Sequence, residues 1–112
     1  MSFDVLIIKP SGVSVEDLSE VAAVDPLGDI SFVESAINSA FPGAVNGVWL
    51  SEEFSVEALI NGTPAESAQI TLRFGNSWSE ASEANFLSFL SSICRKIDAV
   101  AFSVSDNSKL AP

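Results

Sequence analysis

Histidine and tyrosine are absent from this chain of 112 residues, and cysteine and methionine occur once each. Without imidazole, the commonest general base, the usual hydrolase triads and the commonest metal ligand are all missing. One cysteine, Cys94, excludes an intramolecular disulfide and a cysteine-based zinc site, and it is compatible with a reducing compartment. Basic residues are scarce. Five stand against fifteen acidic ones, for a formal charge of −10. That balance argues against nucleic acid, whose phosphates need lysine and arginine, and against anionic membrane surfaces. No phosphate-cradling loop or dinucleotide fingerprint is present, and no internal repeat or low-complexity tract. No apolar run approaches the ~20 residues that span a bilayer. The first residues lack a basic start before a long apolar stretch, so no signal peptide is expected and the expected location is cytoplasmic.

What is present suits a packed fold. Hydrophobic residues make up 47% of the chain and charged residues 18%, with eight Phe and two Trp to fill a core. A disordered chain shows the opposite balance. The length fits one domain over residues 1–112.

Residues 3–8 are almost continuously apolar and predict a strand in the middle of a sheet. Residues 13–27 are ambiguous. Ser14 and Asp17 have the spacing of a helix cap running to about Ala22, and a loop carrying acidic side chains fits as well. Asp29 predicts a helix N-cap, its carboxylate accepting from free N–H groups. Ile30, Val33, Ile37, Ala40 and Phe41 then follow at helical spacing, and Pro42-Gly43 stops the helix. Residues 47–50 and 54–60 predict two strands joined by the polar turn Ser51-Glu52-Glu53, and a wide loop after Asn61-Gly62 leads into a strand over 69–74. Ser77 with Glu80 has capping-box spacing, with Ser79 as the alternative cap. The helix that follows runs to about Ile97 on a stripe of Phe86, Leu87, Leu90, Ile93, Cys94 and Ile97. Residues 100–104 predict the last strand. The expected architecture is α+β: a mainly antiparallel sheet of about five strands with two helices on one face, a ferredoxin-like variant.

The candidate binding residues are acidic or aromatic. Glu16, Asp17, Glu20 and Asp25 crowd the ambiguous segment. Glu52 and Glu53 share a turn, and Glu57 lies four residues on, where strand geometry would put it on the face of Glu53. A Glu57–Arg73 cross-strand pair is expected, worth only ~0.2–1 kcal/mol when exposed. Trp78, beside serines after a Gly-Asn turn, is the candidate aromatic anchor. Cys94, on an apolar stripe, reads as a buried structural thiol rather than a nucleophile. Asp25 and Asp29 lack EF-hand spacing, and no metal or cofactor is expected.

The start Met1-Ser2-Phe3-Asp4-Val5-Leu6, the Pro26-Leu27-Gly28 that opens a helix ending Ala40-Phe41-Pro42, Phe54-Ser55-Val56-Glu57, the strand Ile70-Thr71-Leu72-Arg73-Phe74-Gly75 and the tail Ser105-Asp106-Asn107-Ser108 form a pattern over most of the chain. In it the chain resembles a set of small uncharacterised bacterial proteins, similar to immunity proteins of polymorphic toxin systems. The longer linker from Gly75 to Ser82 departs from that pattern. The resemblance implies a protein partner and carries over no functional residue.

The expectation is therefore a non-enzymatic, protein-binding domain. It would be an immunity or inhibitor protein whose acidic surface meets a basic toxin domain. One rival is a structural or adaptor domain forming homo-oligomers through an open sheet edge. The other is a carboxylate enzyme or small-ligand binder built around Glu53 and Glu57.

Overall fold

The computed structural model describes residues 2–11, 15–45 and 47–111. Among the described residues seven strands and two α-helices follow one another: β1 (Ser2–Pro10), β2 (Val24–Asp25), α1 (Ile30–Ala40), β3 (Val48–Leu50), β4 (Phe54–Asn61), β5 (Ser67–Phe74), α2 (Glu80–Ile97), β6 (Val100–Ser103) and β7 (Lys109–Ala111). The main sheet has the order β3-β4-β5-β1-β6-β7, and β2 pairs with the end of β1. All pairings are antiparallel. The α+β class and the central place of β1 agree with the sequence. The strand number does not, because β2 and β7 are too short to show a period of two.

Alternation fixes which face each strand residue meets. Val5 and Ile7 in β1, Ala68, Ile70 and Leu72 in β5, Phe54 and Val56 in β4 and Ala101 in β6 form one buried cluster. The helices close over that side. α1 contributes Val33, Ala36, Ile37 and Ala40, and α2 contributes Phe86, Leu90, Ile93, Cys94 and Ile97. Both sets recur every three or four residues, which gives each helix one apolar stripe. Burying each large side chain stabilises the fold by about 1.5–3 kcal/mol.

The reverse face of the sheet is divided. Leu6 stands opposite Phe102, and Ile8 opposite Val100. Phe102 and Ile8 are buried, although the helices lie on the other side. Residues 15–25 are tied near both ends of β6. Leu18 N–H donates to the Asn107 carbonyl at 2.8 Å beside the β6–β7 turn, and Ser11 N–H donates to Ala23 at 3.0 Å near the end of β1. The segment therefore spans the length of β6. It holds one 3-10 turn, Leu18–Glu20, where a longer helix was one expectation; the cap expected at Ser14 lies outside the described residues. The other half of this face, on β3, β4 and β5, lies open, with Leu50 75% and Leu59 59% exposed.

The helix ends correct two further expectations. Asp29 is the N-cap of α1, but its side chain makes no capping hydrogen bond. The N-cap of α2 is Ser79, the alternative of the two expected caps, and its capping box is closed by Ser82 rather than running from Ser77 to Glu80. At the other end of α2, Asp98 adopts the left-handed conformation (φ 54°) that usually falls to glycine or asparagine.

Candidate protein-binding surface

Aromatic side chains run in a chain from the helix-side core to the surface. Phe41, Trp49 and Phe89 meet with ring centroids 5.1–6.3 Å apart. Phe54 links Trp49 (5.3 Å) to Trp78 (5.6 Å) and Phe86 (5.7 Å). Beyond it, Phe74 and Trp78 meet edge to face at 4.8 Å. Both stand partly in solvent, Phe74 at 39%. Between these rings and the first turns of α2 lies a groove of about 320 Å³, walled by Phe3, Leu72, Phe86, Leu87 and Leu110, with Glu83 on its lining.

The backbone that carries Trp78 is held from the β3–β4 turn. Gly75 N–H donates to the Glu53 carbonyl at 2.9 Å, and Ser77 N–H to that of Glu52 at 3.3 Å. A Cβ on Gly75 would run into both carbonyls, so the close approach requires glycine. The buried Ser82 hydroxyl donates to a Glu53 carboxylate oxygen at 2.6 Å and accepts from the Ser79 N–H at 3.1 Å. A charge-assisted hydrogen bond thus ties the turn to the start of α2.

Charge at the start of α2 is of one sign. Glu80 and Glu83 occupy the first turn of α2, where the helix dipole favours them, and Glu52 is exposed in the adjoining turn. Among the described residues three ion pairs form: Lys9–Asp98 (3.6 Å), Arg73–Glu57 (3.3 Å) and Lys109–Glu16 (3.6 Å). The two remaining cations, Arg95 and Lys96, sit in the last turn of α2, roughly 20 Å from Glu80 and Glu83 at 1.5 Å per residue.

The predicted binding residues fall into three places. Trp78 lines the groove, and Glu52 and Glu53 lie in the turn that holds the backbone leading to it, with Glu53 committed to Ser82. Glu57 and Arg73 pair on the open reverse face, as the alternation predicts. Glu53 and Glu57 thus turn to different partners, and the paired-carboxylate arrangement does not form. Glu16, Asp17, Glu20 and Asp25 ride on the segment tied near both ends of β6. Asp25 accepts from the Ser11 hydroxyl at 2.8 Å, and Glu20 is exposed. Asp17 caps the 3-10 turn, and hydrogen bonds from the Ser19 side chain and N–H lower its carboxyl below the usual range. Asp106 is lowered in the same way by Ser108.

Sequence reasoning missed Phe74 as a surface residue, because its alternation puts it on the buried side. It also missed Glu80 and Glu83, although acids in a first turn are a visible signal. Cys94 is fully buried, and desolvation pushes its thiol up to about 12. Among the described residues no cluster of acidic or cysteine side chains could hold a metal ion, and no helix is long and apolar enough to cross a membrane. Compared with protein-family models, curated proteins and solved structures, the chain matches none.

Proposed function

We propose that this chain is a protein-binding domain of the immunity or inhibitor type, which neutralises a bacterial toxin domain in the cytoplasm by covering a basic site. One observation carries the reading: the groove beside Phe74 and Trp78 has Glu83 on its lining, Glu80 in the same turn of α2, and no lysine or arginine among its described lining residues. Partly exposed aromatic rings supply the area that anchors an interface, and uncompensated carboxylates speed encounter with a basic partner. No catalytic role is part of the proposal, and the separation of Glu53 from Glu57 supports leaving one out. The fold assignment that accompanies it is a ferredoxin-like variant. The order β4-β5-β1-β6, with α1 between β1 and β4 and α2 between β5 and β6, supports that assignment.

The test is co-expression with the product of the adjacent upstream gene, scored by rescue of growth and by co-purification. In the complex, Phe74→Ala with Trp78→Ala should cost about 2–4 kcal/mol of binding, the range of a central aromatic anchor. Glu80→Gln with Glu83→Gln should slow association and flatten its salt dependence. A neighbour that is not toxic, or a complex indifferent to the groove, would count against the proposal. A second reading, a self-associating adaptor, is favoured by the exposed Val48, Leu50 and Leu59 on the reverse face. Two copies at −10 each oppose it, and sedimentation equilibrium separates the two.

A further inference from the structure

We propose that the free end of β4 is a strand-docking edge for an extended, basic segment of a partner protein. β4 has eight residues, and β3 pairs with only the first part of it, from Leu50↔Ser55 to Val48↔Glu57. One more bond, from Ala58 N–H to the Gly47 carbonyl at 2.7 Å, ends the contact, because Val45 and Val48 then pair with each other. In an antiparallel strand the backbone groups of alternate residues point to opposite neighbours. Since Ala58 N–H points toward β3, the N–H and C=O of Ile60 point the same way, where no described residue meets them.

Sheet edges of this kind are normally blunted by lysine, proline or a bulge. β7, at the far edge of the sheet, has such protection: it begins at Lys109, and Pro112 follows Ala111 in the sequence. The end of β4, Ala58-Leu59-Ile60-Asn61, carries none of these. A depression of about 330 Å³ lies beneath it, between β4 and α1, lined by Ile30, Glu34, Asn38, Gly47, Ala58 and Ile60. Ile30 is 37% exposed there.

The alternation of a docked strand fits these surroundings. A lysine or arginine on the helix side would lay its alkyl stem over Ile30 and Ile60 and bring its charge to Glu34. Its neighbours would turn to the reverse face, beside the exposed Leu59. α1 and β4 contain no lysine or arginine, and the net charge of −10 disfavours a second copy of the chain as the occupant. Strand addition of this type takes affinity from the main chain and specificity from alternate side chains.

The probe is a fluorescein-labelled seven-residue peptide alternating lysine and valine, titrated by anisotropy at low salt. Saturable binding below about 1 mM is expected. Two N-methylated versions, one blocked at the lysine amides and one at the valine amides, should differ. One should bind at least about tenfold more weakly and the other much as the parent does, because only one set of amides faces β4. Ile60→Pro should weaken the parent peptide by a similar factor, since the lost N–H faces away from β5. If that variant fails to fold, the methylated peptides decide with the unaltered chain. Glu34→Gln should weaken binding and its salt dependence, and Phe74→Ala should not. No binding, equal binding of the two methylated peptides, or a dimer abolished by Ile60→Pro would each overturn the proposal, the last by giving the edge to a second copy.

Discussion

Replacing Ser82 by alanine removes one oxygen atom and should loosen two elements at once. Ser82 is fully buried, and its hydroxyl donates to Glu53 at 2.6 Å while accepting from Ser79 N–H at 3.1 Å. A hydrogen bond to a charged acceptor contributes about 1.5–3 kcal/mol, and the lower value applies because Glu53 is only half-buried. Loss of the reciprocal cap adds roughly 0.5 kcal/mol. The expected destabilisation is about 2 kcal/mol. Near 60 °C, unfolding gains about 2.1 cal/mol/K per residue, so the midpoint of a chain this long should fall by about 8 °C. Urea or thermal melts followed by circular dichroism measure it. Glu53→Ala strands the Ser82 hydroxyl and should cost a similar amount. The double variant should lose less than the two singles together, by at least about 1 kcal/mol, because the partners leave as a unit. Additive losses would show that the 2.6 Å contact contributes nothing, and the account of how the groove is held would fail.

Phe102→Ala should destabilise by about 3–5 kcal/mol although Phe102 faces away from both helices, because it is fully buried; a urea titration showing under about 1 kcal/mol would mean that its reverse-face site is not closely packed. Asp98→Gly should stabilise by about 1 kcal/mol, since glycine adopts the left-handed conformation without strain and removes an acid from a helix C-terminus, gains that outweigh the exposed Lys9–Asp98 pair it gives up; the melting midpoint reads this directly. The Cys94 thiol should resist a disulfide reagent at pH 8 until the chain unfolds. Because its pKa rises from 9.0 to about 12 on folding, its contribution to stability is complete below pH 9 and lost as the pH climbs toward 12, which denaturant melts across that range detect. The carboxyls of Asp17 and Asp106 are lowered from 3.8, so what they add to stability is present above that pH and lost as the pH falls through their folded values; carbon NMR titration should place both below the ordinary aspartate value.

The sequence revealed those elements whose periodicity extends over several turns or strand repeats. α2 was read to within a few residues because its stripe, from Phe86 to Ile97, repeats over about three turns of the helix. The Glu57–Arg73 pair was legible because both residues stand out of phase with buried neighbours. β2 and β7, of two and three residues, carry no period to read. Phe102 was expected in a strand, yet nothing local shows that its side chain, turned away from the helices, is buried. The groove was half visible. Trp78 and Glu52 stood out by residue type, whereas Phe3, Leu87 and Leu110 converge only through tertiary packing.

The burial of Phe102 and Ile8 has a consequence for approach. Over β1 and β6 the molecule closes these reverse-face side chains off from solvent, and a visitor meets no open strand there. Over β3, β4 and β5 it is two layers deep, so bare strand backs onto water. Any macromolecule that docks flat against the sheet must therefore come from that thinner half.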